Sequence, residues 1–341
     1  GVINMNNLKK IGVSALAGSL VAFAANAGEL SVSGSANLTY TNEDLSNSAS
    51  TPSNSTGNPF GSASDLSFSG SGDVNGMTVS FFAAIDAGGG SYASNSFSVD
   101  MGDMGKIRFD QGVGGNGAAA IDDKSPTAWE ESWDGIAAGV GLTMTGSANV
   151  FEYENTIGGF GVALAWDTEI DDSRTADGAT GAQGTSIDGS NTSFAITNAS
   201  LVDGLDFGVG MSETDIKDGT TTSTDIETVV GYANYTVGPV TFGYTQGETS
   251  GGAAGHDMHQ MEAYGIVFAV NENLSISYNN HEVTYAKTSG NVDQSSDKDG
   301  IAIAYSMGGA SVKIQNNTTD GSSTANTYQE DRTEVNLSLA F

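Results

Sequence analysis

Residues 30–41 read LSVSGSANLTYT, and in this stretch apolar or small side chains alternate with hydroxyl and amide side chains. Leu30, Val32 and Tyr40 fall on one face of an extended segment, and the serines between them fall on the other. A period of two residues is that of a β-strand, whereas an amphipathic helix repeats near 3.6 residues. The stretch therefore predicts a strand that has one apolar face and one polar face.

The same alternation recurs in sixteen segments, the last of which is residues 334–341, EVNLSLAF. Each segment is about ten residues long, which is the length of a tilted strand that crosses a bilayer. Seven short turns and eight long loops alternate strictly between the segments. Such a sheet must close on itself, because an open edge exposes unpaired backbone groups. The sequence predicts an all-β fold, a transmembrane antiparallel up-and-down β-barrel of about 16 strands.

Two details of the pattern decide which side chains face lipid. The alternation places Val230 and Tyr232 on the lipid-facing side of their segment. Between Asn279 and Glu282 the apolar positions change parity, from Tyr278 to Val283, and a β-bulge is the expected cause. In the other segments, parity assigns the polar residues to the interior of the barrel, here called the lumen.

The first 27 residues have the parts of a cleaved secretion signal. Met5 is the expected start, two lysines follow, and residues 11–25 are apolar or small and carry no charge. Ala25–Ala27 form a cleavage site of the A-x-A type. The uncharged run is shorter than the ~20 residues of a spanning helix, so an uncleaved membrane anchor is the less favoured alternative. We expect residues 28–341 to form one barrel domain.

The composition favours a barrel with a water-filled interior. The chain has 47 glycines, 4 prolines and no cysteine, so backbone pairing and burial must stabilise it without disulfides. Hydrophobic residues make up 38% of it, which suffices if only the outer face must be apolar. The formal net charge of −30 argues against nucleic acid or anionic lipid as a partner.

Both ends of the chain resemble those of the general porins of Gram-negative bacteria, especially the alphaproteobacterial type. The resemblance rests on Ala25–Ala27, on the first strand Leu30–Asn42 and on the terminal strand Glu334–Phe341. It implies a homotrimer in the cell outer membrane, surrounded by outer-membrane lipids, that forms a water-filled channel for passive diffusion of ions and small hydrophilic solutes. It also implies that Phe341 belongs to a signal that the barrel-assembly machinery reads.

In that family the third long loop folds into the lumen and forms a constriction. The third long loop here is Gly112–Gly135, and at 24 residues it is the longest. Trp129 and Trp133 favour an inward, packed position over an exposed one, and an ordinary surface loop is the alternative. The charged residues of this loop include Asp122, Asp123, Lys124, Glu130 and Glu131.

Basic residues are scarce, and parity places several of them on the lumen wall. Because a cation on the lipid face is costly, the charged residues that alternate with Ile107 and Phe109 must face inward. The inward set is Lys106, Arg108, Asp110, Lys313, Arg332 and Glu334. These cations predict a transverse field opposite the acidic loop, and local ion pairing with Asp110 and Glu334 is an equal alternative. We expect the set to form the pore constriction with the loop acids, and the pore to be moderately cation-selective.

Neither a cofactor nor an enzymatic activity is expected. Loose binding of calcium by acidic segments is the nearest approach to a metal site, since the EF-hand spacing is absent. The weak calcium candidates are Asp293, Asp297 and Asp299. His256 and His259 lack a third zinc ligand nearby, and no serine motif accompanies His281. The alternatives to a porin are an acidic secreted adhesin or surface-layer protein and a substrate-specific barrel channel.

Overall fold

A computed structural model gives the fold for most of the chain. It describes residues 30–47, 50–53, 57–86, 91–136, 142, 144, 148–167, 188–216, 223–253, 258–286, 294–322 and 327–341. The expected secretion signal, residues 1–27, and the calcium candidate Asp293 lie outside the described residues.

Strands dominate the described part of the chain, as the alternating sequence requires. Their bounds are β1 Leu30–Asn47, β2 Ser50–Ser53, β3 Phe60–Val74, β4 Met77–Asp86, β5 Ser91–Asp100, β6 Lys106–Gln111, β7 Ala148–Ile157, β8 Phe160–Asp167, β9 Asp188–Asn198, β10 Leu205–Ile216, β11 Ser223–Val237, β12 Val240–Ala253, β13 Met258–Asn271, β14 Leu274–Ala286, β15 Gln294–Met307, β16 Ala310–Ser322 and β17 Thr327–Ala340. Two single-turn 3-10 helices occupy Gly102–Met104 and Gly117–Ala120. Within the described ranges, helices of the length and hydropathy needed to span a bilayer do not occur.

The strands form one closed sheet. From β3 to β17 each strand pairs antiparallel with the next one along the chain, and β1 pairs with both β3 and β17. The four residues of β2 add a short pairing to β1 and stand outside this circle. The circle therefore contains sixteen strands. The predicted sixteen-stranded up-and-down barrel is confirmed.

The barrel is closed by the pairing of the first strand, β1, with the last strand, β17. Ser35 lies opposite Ala340, and the register continues to Asn47 opposite Tyr328. Beyond it, the Phe341 amide donates to the Gly34 carbonyl at 2.9 Å, and the Gly34 amide donates to the Phe341 carbonyl at 2.7 Å. The Phe341 ring covers Gly34, so that a Cβ added to this glycine would lie 2.5 Å from ring atom Cε2. The terminal aromatic residue thus fills the space that a side chain at position 34 would need.

The apolar sides of the strands face outward, as predicted for most of them. Leu30, Leu164 and Leu337 are 51%, 44% and 44% exposed. The two-residue turns, such as Asn75–Gly76 and 238–239, lie at the same rim as the start of β1 and the end of β17. The strand ends that the long connections join lie at the other rim. Most strands exceed the predicted ten residues, so fewer residues remain for the long connections than the sequence pattern suggested.

Two predictions of side-chain direction were wrong. Val230 and Tyr232 face the lumen at 1% and 7% exposure, whereas Val229 faces outward at 54%. No bulge interrupts β14 near Asn279–Glu282, because its register with β15 runs without a shift. Val283 therefore faces inward at 1% exposure. The common cause is that these parts of the inner wall are covered by protein, so that apolar residues are favourable on both faces of the strand.

Candidate functional site

The segment that covers the inner wall is the connection between β6 and β7. It runs over residues 112–147 and so extends beyond the predicted end at Gly135. Its amides and carbonyls bond to inward side chains of successive strands. The contacts are Ala118 N to Ser193 Oγ of β9 at 2.7 Å, Asn234 Nδ2 of β11 to Lys124 O at 2.8 Å, and Ala128 N to Ser277 Oγ of β14 at 2.8 Å. The described part of this connection, here called the inner loop, therefore lies along the lumen wall.

A buried ion pair holds the root of the inner loop. Arg108 Nε and Nη2 lie 3.0 and 2.6 Å from Glu152 Oε2, and the two side chains are 15% and 1% exposed. Arg108 Nη2 also donates to Asn116 Oδ1 at 2.7 Å. Glu152 Oε1 accepts the Gly117 amide at 2.9 Å. The guanidinium of Arg108 is therefore paired with Glu152 and holds the loop, and it does not present a free cation to the lumen.

Asp110 completes this root. It is 0% exposed, and its carboxylate accepts the Val113 and Gly114 amides and the Asn116 side-chain amide, each at 2.8 Å. Glu152, the partner of Arg108, could not be recognised directly from the sequence. Its position between outward-facing Phe151 and Tyr153 does place it inward, but the cross-strand register was needed to set it opposite Arg108.

Small residues on the wall make room for the inner loop. A Cβ on Gly210 would lie 3.0 Å from the Ala118 Cβ, and one on Gly300 would lie 2.9 Å from the Ser132 Cα. A Cβ on Gly265 would likewise clash with the Pro126 carbonyl. An apolar cluster seals the contact. Its members are Ala118, Ile121, Ala195, Val230 and Tyr232, with Leu142 and Met144 packed against them.

Two amide side chains hold the far end of the inner loop on β16. Gln315 Oε1 accepts the Glu130 amide at 3.2 Å, and Gln315 Nε2 donates to the Glu131 carbonyl at 2.9 Å. Asn317 Nδ2 donates to the carbonyls of Glu131 and Asp134 at 3.2 and 3.1 Å. Neither residue could be recognised from the sequence as a loop contact, because inward amides are common in such strands.

The predicted constriction residues fall into two groups. Lys106, Arg108 and Asp110 lie at the root of the inner loop, where Lys106 Nζ contacts Glu154 Oε2 at 3.0 Å. The second group surrounds the far end. There, Lys313 Nζ lies 5.7 Å from the centroid of the Trp129 ring. Arg332 Nη2 contacts Glu334 Oε2 at 2.6 Å, and its Nη1 donates to the Gly135 carbonyl.

The acids of the inner loop are partly deprived of water, which favours their neutral forms. Burial and the neighbouring charge of Asp123 raise the pKa of Asp122 to about 6. Burial, with the nearby Asp134 and Asp123, raises the pKa of Glu131 to about 7. Burial also raises the pKa of Glu130; Asp134 and Glu334 add to the rise, and Lys313 and Arg332 oppose it. Glu130 therefore belongs to the same charge group as Lys313, Arg332 and Glu334.

The wall formed by β1, β3, β4 and β5 has a different character. Residues 30–105 contain no lysine or arginine. Inward positions are frequently serine, and cross-strand pairs such as Ser71–Ser80 and Ser80–Ser98 connect them. Asp65 is an exposed inward acid on this wall and accepts a bond from Ser35 at 3.4 Å. The lumen thus has a hydroxyl and carboxylate wall, and the described hydrogen bonds of the inner loop are made to other strands, among them β9, β11, β14 and β16.

A cavity lies between the inner loop and the rim of short turns. Its volume is about 850 Å³, and Lys106, Glu154 and Lys124 line it with Ile121 and Thr197. Charged and polar groups therefore border the lumen on this side of the inner loop as well.

Those remaining candidates that the structure describes do not gather into a site. Asp297 and Asp299 lie on the outward side of β15, where Asn280 Nδ2 donates to them at 2.6 and 3.2 Å and the Tyr278 hydroxyl donates to Asp299. His256 lies outside the described residues. His281 contacts Lys298 and the Trp133 ring, neither of which offers a hydroxyl nucleophile.

No protein-family model matches the sequence, and no curated protein sequence matches it. Solved structures do match its fold. Outer-membrane expressed OmpT of Vibrio cholerae has a TM-score of 0.64 at 10% identity, covering 93% of this chain and 98% of that one. The anion-selective porin from Comamonas acidovorans has a TM-score of 0.59 at 13% identity, covering 92% and 100%. A mutant of the Rh. blastica porin has a TM-score of 0.57 at 14% identity, covering 92% and 100%. On its fold, the chain is an outer-membrane β-barrel.

Proposed function

We propose that the protein is a general diffusion porin, which forms a water-filled channel for ions and small hydrophilic solutes. The observation that carries this proposal is the division of the lumen wall. The inner loop covers the wall from β9 to β17, and the serine-rich wall of β1, β3, β4 and β5 stands across from it. A polar, wet wall opposite a fixed loop is what a sized aqueous pore requires.

Moderate cation selectivity is part of the proposal. The chain carries 41 acidic residues and 11 basic ones. The inward bases Lys106, Arg108 and Arg332 each contact a carboxylate, which weakens their attraction for anions. Across from them, the wall of residues 30–105 has no base and presents Asp65. Acids at the lumen wall raise the local concentration of cations.

Assembly and partners complete the proposal. One OmpT structure with this fold is a trimer form, which supports a homotrimer here. Outer-membrane lipids would contact the apolar outer face, and the barrel-assembly machinery would read the terminal strand that includes Phe341. No nucleic-acid partner and no cofactor are proposed, apart from loose calcium binding by exposed acids such as Asp297.

A planar-bilayer recording of the purified, heat-modifiable barrel tests the function. We expect stepwise conductance that rises in proportion to salt, and a zero-current potential in a salt gradient whose sign reports cation preference. The matched control is the same preparation after heat unfolding, which should insert no channels. A folded barrel that gives no conductance would contradict the proposal.

A substrate-specific channel is the second candidate, and it calls for a track of aromatic or basic side chains. On the described wall of β1 to β5, Phe82 is the one inward aromatic side chain and no base is present. The same recording separates the candidates, because a specific channel would show conductance that one solute blocks at saturating concentration.

A further inference from the structure

A lysine is buried behind the far end of the inner loop. Lys298 faces inward from β15 and is 1% exposed. Its Nζ lies 3.3 Å from His281 Nδ1, and this is its one hydrogen bond in the described part of the chain. No ion pair joins it to any described carboxylate, and its neighbour Asp297 points to the opposite face of the sheet. A buried ammonium without a counter-charge is strongly unfavourable.

Two further donors, on the adjoining stretch of wall and loop, also lack a partner in the described part of the chain. Asn279 Nδ2 and Ser132 Oγ are buried and make no hydrogen bond, in residues that are 2% and 0% exposed. The register explains why the groups are neighbours, since His281 lies opposite Lys298 and Asn279 lies opposite Gly300. Buried polar groups in folded proteins are nearly always paired, so unpaired donors indicate a bound water or a bound ligand.

The inner loop covers these groups from the lumen side. The Trp133 ring lies 4.3 Å from the His281 ring, centroid to centroid. A Cβ on Gly300 would lie 2.8 Å from Asn279 Oδ1 and 2.9 Å from the Ser132 Cα, so the glycine is what lets wall and loop approach here. Asn317 fixes the loop backbone on either side of Trp133, through the carbonyls of Glu131 and Asp134.

The chemistry of the donors selects the ligand. The ammonium of Lys298 repels a cation, whereas the amide NH₂ group of Asn279 and the hydroxyl of Ser132 can each donate to an anion. We propose that Lys298, Asn279 and Ser132 bind a small monovalent anion of the size of chloride, and that this anion fastens the inner loop to β14 and β15. The site is sealed from the permeation path, so the proposal does not depend on what the channel conducts.

Halide dependence of stability tests the proposal. We expect the unfolding temperature of the detergent-solubilised barrel to rise with chloride or bromide, relative to gluconate at constant ionic strength, and to saturate. Lys298→Met should abolish this dependence and, in gluconate, should be at least as stable as the wild type, because it removes the uncompensated charge. Lys106→Met is the matched control, because it removes a lumen lysine that is already paired and should keep the halide dependence.

A second readout covers the case in which Lys298→Met fails to fold. Ser132→Ala changes only the loop, and we expect it to weaken the apparent halide affinity several-fold. In crystals grown with bromide, an anomalous peak should lie within hydrogen-bond distance of Lys298 Nζ. Three results would each overturn the proposal in favour of bound water. They are the absence of that peak, equal stability in gluconate and chloride, and the same halide shift in Lys298→Met as in the wild type.

Discussion

Glu152 is the residue on which the root of the inner loop depends most. Replacing it by alanine leaves the buried Arg108 guanidinium without a counter-charge, a change that typically costs about 3 kcal/mol or more. We expect Glu152→Ala to loosen the loop while the barrel still closes, because the strand register does not need this side chain. Tryptophan fluorescence should report it, since Trp129 and Trp133 lie in the loop. The fluorescence change should occur at urea concentrations well below those that unfold the barrel.

Glu154→Ala is the matched control for that experiment. It removes the partner of Lys106, a pair whose side chains are 37% and 42% exposed, and exposed pairs contribute at most about 1 kcal/mol. Equal effects of the two substitutions would mean that the Arg108 pair does not anchor the loop.

Loop carboxyls with raised pKa values predict a pH response. The pKa of Glu131 is about 7 and that of Asp122 about 6, both raised mainly by burial. As pH falls from 8 to 5 these groups take up protons, so cation selectivity should decrease, most steeply between pH 7 and 6. Because a docked loop holds these protons more tightly than a released one, their contribution to docking is full at low pH and is lost as pH rises through about 7.

Zero-current potentials measured across this pH range provide the check. In the double variant Asp122→Asn with Glu131→Gln, the zero-current potential should change little between pH 6 and 7, and the conductance should stay as in the wild type. A wild-type response centred near pH 4 instead would indicate that these two carboxyls are hydrated as in an exposed loop.

At the scale of the strands, the seam between β1 and β17 is the contact that closes the barrel. A side chain at Gly34 would displace the Phe341 ring, so Gly34→Val should lower the yield of folded, heat-modifiable barrel severalfold. Gly70→Val is the control, because a Cβ at Gly70 would meet nothing closer than Leu30 Cδ1 at 3.9 Å. Normal folding of Gly34→Val would show that the ring can move aside without loss.

Strand number, strand order and most side-chain directions could be predicted from the sequence, because lipid on one face and water on the other enforce alternation. The pattern failed at Val230, which packs against the inner loop, and at Val283, whose inward side chain is buried, because neither position faces water or lipid. Glu152, Gln315 and Asn317 could not be identified as loop contacts, because that role depends on register and on the path of a loop without periodicity. Alternation along a strand reflects whether each face meets lipid or water. It does not identify a distant segment of the chain that packs against the strand.

At the scale of the whole molecule, charge is distributed unevenly around the lumen. The bases on described lumen-facing strands come from β6 and from β15 to β17, whereas residues 30–105 have none. We expect simultaneous neutralisation of the four acids of the inner loop to shift the zero-current potential toward zero. The four acids are Asp122, Asp123, Glu130 and Glu131.

Asp65→Asn tests the other side of the lumen. If the permeation path follows the serine-rich wall, this one substitution should also reduce cation preference, by less than the quadruple change. A quadruple variant with unaltered selectivity would remove the inner loop from the selectivity mechanism, while the channel itself would still conduct.

The pairing of β1 with β17 also sets an order of events in time. It joins residues 35 and 340, which are 305 positions apart in the chain (340 − 35), whereas each hairpin joins near neighbours. Contacts so distant in sequence form slowly, and this one must wait until every intervening hairpin has aligned. Until then both edges of the sheet stay open to pairing with another chain. A nascent sheet with a missing or misaligned hairpin cannot bring its two edges together. Its unpaired edge strands then remain accessible to proteases, so closure distinguishes complete barrels from incomplete ones.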